Sequence, residues 1–203
     1  MNAVEKEDLP LVSQPLVLHL EPAIKLSDEQ FFEFCQLNRD LRIERTATGE
    51  LLIMSPTGGE TGGRNFNLAV QLGAWSEQDG TGLGFDSSTG FKLPNGAERS
   101  PDVAWVKLNR WNALTPEQQK KFPPIAPDFV VELRSESDTL GSLQAKMQEW
   151  INSGVRLGWL IDRKHRKVYV YRPDLEVECL DNPETVSGEP VLPGFVLNMA
   201  KIW

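Results

Sequence analysis

The chain has 203 residues, 40% hydrophobic and 25% charged, with a formal net charge of −8. That balance fits a globular rather than a disordered chain, with one core of domain size. No apolar stretch is long enough to span a bilayer, and the acidic total predicts weak non-specific affinity for nucleic acid unless basic residues cluster.

In chain order, the first eight residues carry mixed charge and no apolar signal core, so a cytoplasmic protein is expected. Residues 1–24 read as a loosely held, Pro-punctuated arm. Ser27-Asp28-Glu29-Gln30 is a capping-box signature, and a helix over about 28–38 follows. Residues 41–45 alternate, 46–50 turn and 51–54 are apolar, which predicts a β-hairpin. Residues 55–64 form a Gly-rich stretch. It lacks the Lys-Ser/Thr ending of a nucleotide-binding loop and carries Glu60, which would repel phosphate. The spacing then predicts a helix over 64–78 with two apolar sides, Phe66, Ala69, Val70 and Gly73 on one and Leu68, Leu72 and Trp75 on the other. Such a helix lies between layers or in a subunit interface, so a homodimer is expected.

One or two short strands follow over 82–92, with a turn at Asn95-Gly96. A strand begins near Asp102. Residues 109–124 read as a loop with a short helix at about 116–121. Residues 129–133 form a further strand. Ser137-Asp138-Thr139 offers a cap to a helix whose core stripe is Leu140, Leu143, Met147, Trp150 and Ile151, with Lys146 at its edge. Asn152-Ser153-Gly154 stops that helix. Residues 155–161 and 167–172 pair as a hairpin about the turn 162–166, and another strand is expected at about 175–180. Prolines 183, 190 and 193 punctuate the tail. There is no repeat and no linker, so residues 25–203 read as a single domain.

The chemistry lies in two strands of one design. Phe129-Val130-Val131-Glu132-Leu133 is apolar and partly β-branched, yet its fourth residue is a carboxylate. An ionised acid in a buried strand is costly unless a cation or donors meet it. Arg134, two residues on, shares its face, and a structural ion pair is the plain reading of that run alone. Arg99-Ser100-Pro101-Asp102-Val103-Ala104-Trp105-Val106 repeats the pattern with the acid at the strand's start. Two such acids on neighbouring strands could share one hard cation, Mg²⁺ or Mn²⁺. Cys35 and Cys179 form no zinc motif, and only His19 and His165 are present, so a histidine-based metal site or triad has little to be built from.

The order of these parts resembles the PD-(D/E)XK restriction-endonuclease-like superfamily. Pro101-Asp102 matches the first half of its signature and Glu132-Leu133-Arg134 the second, with Arg134 where lysine is usual. More closely, several runs are similar to the bacterial Uma-type family, which carries a domain-of-unknown-function label. They are Met54-Ser55-Pro56-Thr57-Gly58-Gly59-Glu60, Arg99 to Asp102, Val131 to Ser135, Lys146-Met147, residues 154–162 and Leu192-Pro193-Gly194-Phe195. The resemblance covers roughly residues 25–203.

It implies an α/β, restriction-endonuclease-like fold: a mixed central β-sheet flanked by helices, with an N-terminal helix and β-hairpin. It also implies an Mg²⁺- or Mn²⁺-dependent endonuclease acting on DNA. Asp102 and Glu132 would be the metal ligands, and Lys146, supplied from the following helix, the catalytic lysine. Glu60 would be an extra acid, and Arg134 would hold a phosphate. Each has a plainer alternative: Glu60 beside its helix N-terminus, Lys146 as a surface lysine with a buried stem. A catalytically silent binding or regulatory module on the same fold is the competing function, favoured by Arg134 in the lysine position.

Overall fold

The computed structural model describes residues 15–203. Most of the expected arm lies outside that range, but Leu16–Leu18 forms a strand, β1. Helix α1 (Asp28–Leu37) begins at the predicted capping box, where the Ser27 and Gln30 side chains each accept from the other's backbone N–H. Strands β2 (Arg42–Arg45) and β3 (Leu51–Met54) form the predicted hairpin. Helix α2 (Gly59–Asp79) is followed by β4 (Gly82–Asp86), β5 (Phe91–Lys92), β6 (Glu98–Arg99) and β7 (Val103–Lys107). Two short helices, α3 (Leu108–Trp111) and α4 (Pro116–Lys120), lead to β8 (Phe129–Leu133) and α5 (Leu140–Asn152). Strands β9 (Leu157–Asp162), β10 (Lys167–Tyr171) and β11 (Glu178–Asp181) follow. A small pair, β12 (Thr185–Ser187) and β13 (Val196–Asn198), and a 3-10 turn (Met199–Lys201) end the chain.

The expected mixed α/β architecture is present. The central sheet has the order β11-β10-β9-β8-β7-β4, with β8 and β9 parallel and every other pair antiparallel. Side chains alternate across it. Val103, Trp105, Phe129, Val131, Trp159 and Ile161 pack with Leu68 and Leu72 of α2. Ala104, Val106, Val130 and Leu160 pack with Leu143, Met147 and Trp150 of α5. The helices therefore cover opposite faces, and Glu132, in phase with Val130, falls on the α5 face.

Three features differ from the sequence reading. A second sheet, β1-β3-β2-β6-β5, stands apart from the central one. Its anchor is Arg45, whose guanidinium takes both carboxylate oxygens of Glu98 at 2.6 Å and reaches Asp28 of α1 at 2.7 Å. Helix α2 starts at Gly59 rather than near residue 64, because glycines weaken a local helix signal while burial of Leu68 and Leu72 sustains the helix. Its two apolar sides also part company: Leu68 and Leu72 are buried, whereas Phe66 and Val70 are exposed. The third difference is the tail, where Pro-punctuated sequence forms β12, β13 and a turn that packs Leu197, Met199 and Ile202 into the α2-side core.

Both described cysteines carry free thiols. Among the described residues no helix is long and apolar enough to cross a membrane.

Strands β4 and β7 pair along five residues, and Ser76 of α2 bonds to both. Trp105 Nε1 donates to Ser76 Oγ at 3.2 Å, and Ser76 Oγ donates to the Gly82 carbonyl at 3.2 Å. A Cβ at residue 82 would run into the Trp105 ring and the Val106 carbonyl. Gly82→Ala is therefore expected to lower stability by about 1–3 kcal/mol, as overpacking does, measured as the shift in urea midpoint at unchanged slope.

Candidate active site

Strands β7 and β8 pair antiparallel with Val103 opposite Val131. Carried one step further, that register sets Asp102 opposite Glu132, which is why acids thirty positions apart in the chain become neighbours. Asp102 sits just before β7, and its amide donates to the Val131 carbonyl at 3.0 Å. Its Oδ2 accepts from the Leu133 amide at 2.7 Å and its Oδ1 from Asn65 Nδ2 of α2 at 3.0 Å. Arg42 Nη1 lies 3.6 Å from Oδ1. On Glu132, Oε1 accepts from Trp150 Nε1 at 2.9 Å and meets Lys146 Nζ at 2.9 Å. Its Oε2 has no hydrogen-bond partner among the described residues. Trp150 and Lys146 stand four apart on α5 and so share one helix face.

Lys146 is held from two sides. Its Nζ also lies 2.9 Å from Glu44 Oε1, and it donates to the Ser100 carbonyl at 3.3 Å. Glu44, on β2, is almost wholly buried. It accepts from the Ser100 amide at 3.0 Å and from Arg99 Nη1 at 3.2 Å, and Arg99 Nε reaches Glu149 of α5 at 2.6 Å. The cluster thus joins four carboxylates (Glu44, Asp102, Glu132, Glu149) to three cations (Arg42, Arg99, Lys146), leaving one negative charge uncompensated.

That count holds when all four acids are ionised, and Glu132 is the one whose ionisation is disfavoured. Burial, first, pushes its carboxyl up to about 7; Lys146 opposes this, while Asp102 and Glu44 add to it. Repulsion between the paired acids therefore contributes, but desolvation leads. Glu44 is equally buried, yet Lys146, Arg99 and Arg42 outweigh burial and hold it below the usual carboxylate range. Burial alone would lower the Lys146 ammonium; Glu132 and Glu44 overcome it and raise its pKa.

Above these groups opens a cleft of about 640 Å³ lined by Arg42, Glu60, Asn65, Asp102, Glu132 and Lys146, among others. Glu60 stands at its rim, 82% exposed and paired with Arg64 at 2.9 Å. Arg134 is the predicted site residue that the structure takes elsewhere. It lies past the end of β8, its Nη1 bonded to buried Asp162 at 2.8 Å and its Nε to the Asp138 carbonyl at 3.2 Å. A guanidinium spent on that pair is not presented to a substrate phosphate, and Arg134 is not among the cleft-lining residues.

Glu44, Arg42 and Asn65 are the residues that sequence reasoning missed. Arg42-Ile43-Glu44-Arg45 does carry a signal of the kind that singled out Glu132, a carboxylate inside a strand, but the hairpin reading absorbed it.

These residues fit a hard divalent cation. Among the described residues no group of three or more His, Cys, Asp and Glu is placed to hold a metal. A cation here would rest on two carboxylates and complete its shell with water and phosphate oxygen, as Mg²⁺ readily does. The open Glu132 Oε2 and the uncompensated charge favour it.

The sequence matches the family described as "Uma2: Putative restriction endonuclease" over residues 28–200. The chain belongs to this family. A solved structure from Anabaena variabilis, described as a putative nuclease belonging to DUF820, superposes with a TM-score of 0.70 at 18% identity, covering 88% of this chain and 97% of that one. At that identity the likeness establishes the fold, which is restriction-endonuclease-like. No curated protein matches the sequence.

The raised Glu132 carboxyl has a pH consequence. Between its ordinary range near 4.5 and about 7, the folded state holds a proton that the unfolded chain has released. Its contribution to stability is therefore full at low pH and is lost as pH rises through that window. In metal-free buffer, the melting temperature of the native protein relative to Glu132→Gln should fall from about pH 5 to about pH 7.5. Calorimetry across that range checks the sign; parallel curves would mean that Glu132 is ionised throughout.

Proposed function

We propose that the protein is a divalent-metal-dependent endonuclease that hydrolyses phosphodiester bonds of DNA. The observation that carries this reading is the Asp102–Glu132 pair, set opposite by strand register at the floor of an open cleft, with an ammonium 2.9 Å from Glu132. Asp102 and Glu132 would hold Mg²⁺, or Mn²⁺ in its place. Bound there, the ion would polarise a phosphoryl oxygen and acidify a water. Asn65 and the Leu133 amide fix the Asp102 carboxylate. Lys146, with its pKa raised, stays an ammonium at neutral pH, so its part is to donate hydrogen bonds and offset the charge developing on phosphate rather than to act as a base. Glu60, at the rim, takes no part in these steps.

The substitution of Arg134 for the usual lysine favours a catalytically silent module only if the site lacks an ammonium. Lys146 brings one from α5, which favours the active reading.

Metal binding should raise the melting temperature. At a hundredfold excess over the dissociation constant the stabilisation is about 2.7 kcal/mol, a shift of roughly 5–10 °C for a chain of this size. Asp102→Asn and Glu132→Gln should each lose both the Mn²⁺ shift and plasmid nicking. Lys146→Ala should lose nicking while keeping most of the shift, because an ammonium is no ligand for a cation. If both acid variants retain the Mn²⁺ shift, the metal is bound elsewhere and the reading fails.

A homodimer belongs to the same proposal, supported by Phe66 and Val70 on the outward face of α2, 69% and 48% exposed. Light scattering at micromolar concentration should give twice the chain mass, and Phe66→Glu should return it to the monomer value.

A further inference from the structure

Among the described residues three cationic side chains line the cleft: Arg42, Lys146 and Arg163. The first two face carboxylates of the acidic cluster. Arg163 does not. Its Nε and Nη1 are buried, and neither has a hydrogen-bond partner among the described residues. No described carboxylate approaches within ion-pair distance; Glu60 and Glu136 act on it only from further away. Burial, with Arg64 nearby, holds its guanidinium below the usual arginine range. A partly buried cation without a counter-ion is costly to maintain, and this one borders an open cleft.

Its place in the fold is specific. Strands β8 and β9 run parallel with Glu132 beside Leu160 and Leu133 beside Ile161. Arg163 follows directly at the C-terminal end of β9, where open α/β sheets bind their ligands. It is three residues past the partner of Glu132, about 10 Å along the strand direction. By alternation it falls in phase with Trp159 and Ile161, on the α2 side, whereas Glu132 and Lys146 belong to the α5 side.

Arg163 also opens the run Arg163-Lys164-His165-Arg166-Lys167, five basic or titratable residues in succession in a chain of net charge −8. The first four residues of that run are the β9–β10 turn, and Lys167 opens β10. Lys164 and Arg166 are exposed. Arg166 reaches Asn182 at 3.3 Å and stands over the Trp203 ring, Lys167 faces Asp181 at 3.9 Å, and His165 bonds buried Asp162 at 2.7 Å. Asp162 is shared with Arg134, so it leaves the Arg163 charge unanswered.

We propose that the β9–β10 turn is a docking site for the phosphate backbone of the nucleic acid, with Arg163 holding a phosphate that flanks the scissile one and Lys164 meeting the strand outside the cleft. This rests on the nuclease reading above and adds to it the element that positions the substrate. It explains how an acidic protein could engage a polyanion: Arg163, Lys164 and Arg166 stand together in one turn beside the cleft. With Nε and Nη1 buried, the remaining nitrogen, Nη2, is the one left to make a charge-assisted hydrogen bond to a phosphate in the cleft.

The test is fluorescence anisotropy with a labelled DNA duplex in EDTA, so that no cleavage intervenes, over a series of salt concentrations. Arg163→Gln should weaken binding about tenfold and reduce the slope of log affinity against log salt by about 0.9, the loss of one phosphate contact. Arg163→Lys should restore the slope but not all of the affinity, and Lys164→Gln should lower the slope in the same way. Arg156→Gln is the charge-matched control, because Arg156 precedes β9 at its other end and faces Asp128. Slopes unchanged in Arg163→Gln, or lowered equally in Arg156→Gln, would overturn the proposal. If native protein binds no DNA, the nuclease reading fails by itself. The anion site is then judged with inorganic phosphate: stabilisation of native protein but not of Arg163→Gln upholds it, and an equal response sinks it.

Discussion

The hydrogen bond from the Leu133 amide to Asp102 Oδ2, 2.7 Å long, ties the two halves of the site to one sheet register. Asp102 precedes β7 and Leu133 ends β8, so the bond forms only when these strands pair with Val103 opposite Val131. A slip of one residue would turn every side chain of a strand to the other face. Glu132 would then leave the α5 side, and Phe129, Val131 and Leu133 would leave the core they share with α2. Core burial and site geometry thus enforce the same register, and the energy that holds the acids together is the hydrophobic burial of their neighbours.

What this register creates is electrostatically unfinished. Glu44, Arg99 and Glu149 extend the acid pair into a network that reaches from β2 to α5. Such buried networks are seldom a net source of stability, since desolvation offsets much of the Coulomb attraction. Here the network leaves Glu132 with a raised pKa and one open oxygen, and it keeps Lys146 charged. Both properties suit a site that receives a cation and a phosphate. Glu44 matters as the second acceptor of Lys146: an ammonium shared by two acids can keep one while a cation takes the other.

The second sheet and α2 give the site its walls. Strand β2 contributes Arg42 and Glu44, and the chain leaving β6 brings Ser100 and Asp102 to them. Helix α2 contributes Asn65 from its buried side while showing Phe66 to solvent. The opening between them lies at the C-terminal ends of β8 and β9, where the basic β9–β10 turn also emerges. The acid pair and Arg163 of the basic turn therefore come from opposite faces of one parallel strand pair.

The sequence by itself determined the strands around Asp102 and Glu132, the α5 stripe with Lys146 on its flank, the hairpins and the capped helix starts, because each rests on local periodicity or on side-chain caps only three residues long. It also carried the family likeness, which depends on the order of short motifs. Only the tertiary structure decided the partners. Arg134 shares a strand face with Glu132, yet it turns to Asp162, which is 28 residues away and becomes a neighbour only through the parallel β8–β9 pairing. Glu44 lies 102 residues from Lys146, a distance across which no local pattern operates. The glycines that hid the start of α2 are outweighed by packing of Leu68 and Leu72 on the sheet, and the strands of the Pro-rich tail form because Val186 and Leu197 are buried in the same core. Charge pairs and burial are properties of residues brought together from distant segments, so the chemistry of each acid could be named from the sequence, while its protonation and its counter-ion depended on the fold.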